Sequence, residues 1–338
     1  MVKLLIEMTK KARITGLGSY LPQKILSNHD LEKMVDTNDE WIVTRTGISE
    51  RRIAADEQAS SDLAIEAAKK ALQAAKIEPE SVDLILVATM TPDHLCPSTA
   101  AIVQSKLGAV NATAFDISAA CSGYLFALST AKAFVESGRY QTVLLVGAEK
   151  MSSFLDFTDR TSCILFGDGA TAAVIQSEGE GLLIGDVHLG SDGSLEELIK
   201  IPAGGARAPA SNKTVEAREH FVQVKGRETY KHAVRRMCQV SRHCLEEANL
   251  SLSDISYLVA HQANARIIDA VADEMGIPEE KVYKTIHKYG NTSAASVGIT
   301  LDELLQEKNP EEPLLLVAFG GGLTWGGALL HPIHQEET

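Results

Sequence analysis

Residues 71–89 read ALQAAKIEPESVDLILVAT, and residues 244–262 read CLEEANLSLSDISYLVAHQ. Each stretch is a helix end, a short polar loop and a buried strand. At an offset of 173 residues, Leu72 falls on Leu245, Ala75 on Ala248, Ile77 on Leu250 and Val82 on Ile255. Further on, YQTVLLVG (140–147) parallels EPLLLVAF (312–319), and each precedes a small-residue, Gly-containing strand, over 161–175 and 320–330. The matched letters are few, and chance produces some of them. The repeated order of elements carries the reading. It predicts two similar halves, 1–180 and 181–338.

Val82–Ala88, Thr142–Gly147, Tyr257–Ala260 and Leu314–Phe319 are continuously apolar, so they read as strands covered on both faces. Helical patterns over Ser61–Ala75, Cys121–Ser137, Gly226–Ala248 and Ala263–Met275 lie between them. This alternation is the α/β pattern. Between the halves, Gly179–Ala217 holds GSDG (190–193) and IPAGGARAPA (201–210). Turn-forming residues predict a loop-rich insertion there, a surface loop or part of a lid.

The chain has 338 residues, 45% of them hydrophobic and 23% charged, the balance of an ordinary globular protein. A net charge of −13 argues against nucleic-acid binding. Five cysteines, at 96, 121, 163, 238 and 244, form no C-x-x-C pair, which points to reduced thiols without disulfides or zinc. The start, MVKLLIEMTKK (1–11), is too short and interrupted for a signal peptide. No apolar run reaches the ~20 residues of a membrane helix. A cytoplasmic protein, off the membrane, is expected.

Chemistry enters at FDISAACSGY (115–124), where an apolar strand meets small residues, a thiol and a helical pattern. A sulfur at a helix start faces free backbone N–H groups that favour the thiolate, a nucleophile. The alternative for Cys121 is a buried structural cysteine. LVAHQAN (258–264) adds His261 and YGNTSAAS (289–296) adds Asn291. Taken alone, His261 is a strand-end histidine and Asn291 a helix N-cap. If the halves face each other across a pseudo-twofold axis, the three meet in one pocket. Acyl transfer through a covalent thioester follows.

These motifs, with GLGSYLP (16–22), DEWIVTRTG (39–47), FGDGA (166–170) and AFGGGLTWG (318–326), resemble the β-ketoacyl-acyl-carrier-protein synthase III family over 14–330, almost the whole chain. The resemblance implies a thiolase-like fold, with two pseudo-symmetric βαβ-type halves packed as a five-layered αβαβα sandwich, usually a homodimer. It implies a Cys121–His261–Asn291 triad. Cys121 would take an acyl group from acyl-CoA, with the backbone N–H groups of Cys121 and Gly321 as oxyanion donors. Malonyl-acyl carrier protein would then lose CO2, and His261 and Asn291 would hold the enolate oxygen while the enolate carbon attacks the acyl group. No cofactor or metal is implied, acyl-CoA being a substrate. Asn at 291 separates the chain from elongating synthases (Cys-His-His) and thiolases (Cys-His-Cys).

By the same resemblance Trp41, Arg45, Thr46, Arg160, Gly226 and Asn264 receive CoA. Packing and a structural ion pair are the alternatives for Trp41 and Arg45. Arg227, Lys231 and Arg235 recur every four residues and so share one helix face. Such a stripe is an ordinary solvated face or a dock for an acidic partner. The resemblance makes it the acyl-carrier-protein site, with Lys231 and Arg266 foremost. Asp273 and Glu274 stand where relatives often carry basic residues, which narrows that patch. Cys96 in HLCP (94–97) stands where many relatives place Phe against the partner subunit's acyl pocket, to which Phe319 also belongs. The smaller side chain predicts acceptance of starters longer or more branched than acetyl, unless Cys96 merely fills a gap. Two other functions fit less of the pattern: a starter synthase of secondary metabolism, and a non-catalytic carrier-protein scaffold.

Overall fold

A computed structural model describes residues 10–333. Most of the N-terminal stretch read above for targeting, residues 1–9, lies outside them.

Nine strands join in one hydrogen-bonded array. They are β1 (Arg13–Tyr20), β2 (Leu84–Ala88), β3 (Thr113–Ile117), β4 (Thr142–Glu149), β5 (Gly169–Gln176), β6 (Leu182–Ser191), β7 (Tyr257–Ala260), β8 (Leu314–Gly320) and β9 (Thr324–Pro332). Across the array the order is β7-β8-β9-β6-β1-β5-β4-β2-β3. The middle is a seam. β1 and β6 pair through only Arg13 with Leu183 and Ile14 with Leu182.

Read outward from that seam, the two sides repeat. One runs β1-β5-β4-β2-β3, and the other runs β6-β9-β8-β7 with Val282 bridged in parallel to Leu258 beyond it. In each, the second strand is antiparallel to both neighbours and the outer strands are parallel. The duplicated order of elements in the sequence is therefore a duplicated topology.

Side-chain alternation divides the strands between three apolar layers. Leu84 and Leu86 of β2, with Leu314 and Leu316 of β8, face a central layer. That layer is filled by Tyr124 and Leu128 of one helix, Gly123–Glu136, and by Val297 and Leu301 of another, Ser296–Glu307. Ile85 and Val87 face the opposite way, onto the helices Ser60–Ala75 and Thr99–Leu107. Leu315 and Val317 meet Gly226–Glu247 and Ala265–Met275. With α1 as Asp39–Thr46, these helices are, in chain order, α2 (60–75), α3 (99–107), α4 (123–136), α5 (226–247), α6 (265–275) and α7 (296–307). The layers run α2/α3, sheet, α4/α7, sheet, α5/α6. Strands buried on both faces explain why β2, β4 and β8 read as unbroken apolar runs.

Three expectations are corrected. The strand expected from Thr161 begins at Gly169, because 161–168 fold as a turn ending on Asp168, whose carboxylate accepts from Ala54 N and Ser152 N. The strand expected from Gly320 begins at Thr324. The first part of the expected loop-rich insertion is β6, a ten-residue strand at the seam. Its glycines and Asp186 hide a half-buried alternation that reads as turn chemistry in the sequence.

Candidate active site

The central helices α4 and α7 begin side by side, one from each half. Each is led by a tight 3-10 turn, Ala120–Ser122 before α4 and Ser293–Ala295 before α7. Ala120 (φ 45) and Ser293 (φ 49) both take the left-handed backbone region, so the two turns share one unusual geometry. Close approach requires small residues. A Cβ on Gly123 would lie 3.3 Å from the Ala294 Cβ, and one on Gly320 would lie 2.7 Å from the Cys121 nitrogen.

Cys121 therefore sits in the turn ahead of α4 rather than in the helix. It lines a pocket of about 860 Å3, open mouth included, together with His261, Asn291, Phe319, Asn264 and Gly226. Cys121 is thus brought together with His261 and Asn291, 140 and 170 residues further along the chain. Ile199, from the insertion between the halves, and Val222 and Val224, just after it, form part of the apolar wall.

His261 follows β7, and its backbone N–H donates to Val317 O at 2.8 Å. Its Nδ1 lies 2.5 Å from Ser296 Oγ on α7. The Gln262 N–H donates to the same oxygen at 3.4 Å. With the Ser296 hydroxyl donating to Nδ1, the ring hydrogen rests on Nε2, the tautomer that donates into the pocket. Burial pushes the imidazole down to about 3, so it stays neutral. Asn291 Oδ1 accepts from Ser293 N at 2.8 Å, which commits the oxygen to the turn and leaves the NH2 group for the pocket. The backbone of Asn291 is pinned by Leu165 O at 2.8 Å and by Gly167 N at 3.1 Å.

A thiolate favoured by the helix start was expected at Cys121, and the structure reverses it. Burial pushes the thiol up to about 12, and the nearby Glu149 carboxylate adds to the rise. Desolvation outweighs the partial charges of one helix turn. The resting group is the neutral thiol.

Two guanidinium groups lie over the Trp41 ring on α1, Arg45 at 5.4 Å and Arg160 at 5.3 Å from the ring centroid. The Asn264 amide donates to Arg45 O at 3.1 Å and ties this cluster to the pocket. Gly47, which ends α1, has φ 73, and a Cβ there would meet Ala265 at 2.4 Å. Thr46 faces inward: its hydroxyl donates to Ile42 O at 2.7 Å and accepts from Ile48 N at 3.1 Å. Gly321 follows β8 and its carbonyl accepts from Thr324 Oγ1 at 3.1 Å.

Arg227, Lys231 and Arg235 on α5 and Arg266 on α6 are exposed. Among the described residues none of the four forms an ion pair, whereas Arg242 pairs with Glu274 and Arg236 with Asp192. Cys96 is exposed and lies outside the pocket that holds Cys121.

Ser293, Ser296, Gln262 and Glu149 are functional neighbours that the reading of the sequence passed over. The first two stand within YGNTSAAS, at three-residue spacing before and at the start of α7. Glu149 was signalled by an acidic residue closing a wholly apolar strand.

A buried thiol, a neutral histidine and a directed amide in one apolar pocket of a duplicated five-layer α/β sandwich define an acyltransferase of thiolase-like fold. The family model for 3-oxoacyl-[acyl-carrier-protein] synthase III matches residues 115–193, and that for its C-terminal part matches 245–331. A β-ketoacyl-[acyl-carrier-protein] synthase III of Chlamydia caviae is 53% identical over 97% of this chain and 99% of its own. The crystal structure of the Aquifex aeolicus enzyme superimposes with a TM-score of 0.87 at 47% identity, covering 95% and 99% of the two chains. The priming β-ketosynthase of the R1128 polyketide pathway superimposes with a TM-score of 0.88 at 37% identity, over 96% and 97%. The chain belongs to the β-ketoacyl-acyl-carrier-protein synthase III family. Its reaction condenses an acyl-CoA with malonyl-acyl carrier protein and so starts fatty acid synthesis.

Proposed function

We propose that Cys121 carries the acyl group and that His261 and Asn291 drive the decarboxylation. The observation that carries this is the opposite wiring of the two halves at one pocket. Cys121 enters on the turn before α4, while His261 and Asn291 come from the other half, His261 Nδ1 beside Ser296 Oγ and Asn291 Oδ1 accepting from Ser293 N, so that an N–H of each would face inward. Attack of sulfur on a thioester builds charge on the carbonyl oxygen, which the N–H groups of Cys121 and Gly321 would stabilise. Loss of CO2 from the malonyl group leaves an enolate oxygen, and that oxygen needs donors rather than a base. Neutral His261 and the Asn291 amide supply them. The carbanion then displaces Cys121 to give the 3-ketoacyl product. This chemistry calls for no cofactor.

The CoA nucleotide would meet Trp41, Arg45 and Arg160, cation and ring faces suited to an adenine and its phosphates. The pantetheine arm would pass Asn264 and Gly226 into the pocket. Thr46 would act by shaping α1. Malonyl-acyl carrier protein would dock on Arg227, Lys231, Arg235 and Arg266, the unpaired cations beside the mouth. Two chains would pair through β3, whose outer edge has no strand beyond it among the described residues and shows exposed Phe115. An open apolar edge is a pairing surface. The segment with Leu95, 87% exposed, would then present Cys96 to the partner's pocket. A cytoplasmic setting fits free cysteines. The 37% likeness to a polyketide priming synthase keeps a secondary-metabolite starter as a second reading of the substrate.

Asn291→Asp tests the division of labour. It keeps the shape but offers a carboxylate to a developing anion. Acylation of Cys121 should persist while malonyl decarboxylation falls by at least 100-fold, on the order of a lost oxyanion donor. Equal loss of both steps contradicts the assignment.

A further inference from the structure

Near Cys121 lies a buried carboxylate with no role in the steps above. Glu149, at the end of β4, is 0% exposed. Its carboxylate accepts from Thr91 Oγ1 at 2.6 Å, Thr91 N at 3.1 Å, Met90 N at 3.1 Å and Ser293 Oγ at 3.0 Å. Ser293 Oγ is also 3.5 Å from Cys121 Sγ. The serine thus bridges thiol and carboxylate. It does so from a left-handed backbone conformation (φ 49) that is costly for a residue with a side chain.

We propose that Glu149, acting through Ser293, receives the proton of the Cys121 thiol as the nucleophile forms. Glu149 is in this sense a positioning residue and proton acceptor that never touches substrate. The Cys121 S–H bond breaks as its proton passes to Ser293 Oγ. The Ser293 hydroxyl proton passes at the same time to Glu149 Oε1. Sulfur keeps the electron pair, and the single negative charge moves from carboxylate to thiolate. After sulfur attacks the thioester, the departing CoA sulfur needs one proton, and the one held by Glu149 balances it.

The alternative acceptor is His261, whose Nδ1 is occupied by Ser296. Burial pushes the Glu149 carboxyl up to about 7 and the His261 imidazole down to about 3, so the carboxylate is the stronger base. Cys121 and Glu149 are the ionisable groups that face each other in this cluster. The segment Thr89–Thr91 and the Ser293 turn bring none, and Lys150 turns away to the carbonyls of Ala55, Asp56 and Gln58.

The inference rests on Cys121 being the nucleophile, and its test does not depend on turnover. Iodoacetamide alkylation of Cys121, followed by peptide mass spectrometry from pH 6 to 10, would be compared in wild type, Glu149→Gln, Ser293→Ala and the double variant. Ser293→Ala leaves every other bond of Glu149 in place. Each single change should slow alkylation at pH 7 about tenfold and flatten the rise in rate that follows ionisation of Glu149 near pH 7. The double variant should be no slower than either single one. An unchanged profile would make Glu149 a structural anchor and overturn the relay. Faster alkylation with a lower apparent pKa would also overturn it, because Glu149 would then act only as a repelling charge. Acetylation of the wild type by acetyl-CoA, scored in parallel, tests the nucleophile assignment separately.

Discussion

At the scale of single residues, the pocket works by holding groups neutral. His261 illustrates this. In the folded chain its imidazole is pushed down to about 3 from an ordinary value of 6.5. Between those two values the unfolded chain binds a proton that the folded chain refuses. Stability contributed by the neutral ring is complete above about 6.5 and is lost as pH falls toward 3. From pH 6.5 to 5 the loss is about 2 kcal/mol. Urea titrations should therefore show wild type losing about that much more stability than His261→Asn over this interval. Equal losses would mean that the ring is not buried as described. The meeting of Cys121, His261 and Asn291 in one pocket was legible in the sequence because each stands in a short distinctive motif. Its wiring was not: Ser296 and Ser293 lie in the same motif as Asn291, yet nothing in the letters says which hydroxyl meets the imidazole and which the thiol. The direction of the Cys121 shift was misread for a related reason. Desolvation depends on what the other half packs over the sulfur, and local sequence does not carry that.

At the scale of elements, β2, β4 and β8 were readable because burial on both faces leaves an unbroken apolar run. β6 was not, since its half-exposed pattern is broken by Gly185, Asp186 and Gly190. Gly190 has a packing reason: a Cβ there would lie 2.3 Å from the Trp325 ring. The helix α5 was legible as a basic stripe, and the structure sorts it. Arg236 stacks on Trp325 at 4.3 Å, while Arg227, Lys231 and Arg235 face outward. Rim charges act on encounter and on salt dependence. Lys231→Glu should thus raise the KM for malonyl-acyl carrier protein several-fold at low salt and leave Cys121 acylation by acyl-CoA unchanged. A change confined to the acyl-CoA step would place the docking face elsewhere.

At the scale of the whole molecule, duplication explains how distant residues meet. Two copies of one strand order, joined at a two-pair seam, set α4 and α7 together and put their leading turns in contact. The repeat was visible in the sequence as an order of elements, but the layer assignment needed the side chains of both sheets. The same topology leaves β3 at an open edge with Phe115 showing. Light scattering should find wild type as a dimer and Phe115→Lys shifted toward monomer, with an altered ratio of acetyl-CoA to isobutyryl-CoA use if Cys96 serves the partner's pocket. A variant that stays dimeric would place the interface away from β3.

The central claim is that Cys121 carries the acyl group. Intact-protein mass spectrometry after acetyl-CoA, and again after malonyl-acyl carrier protein, tests it most directly, with Cys121→Ala alongside. The account predicts one acyl adduct on wild type, none on the variant, and discharge of the adduct by malonyl-acyl carrier protein. An adduct that persists in Cys121→Ala, or no adduct on wild type with acetyl-CoA or any longer acyl-CoA, would contradict it.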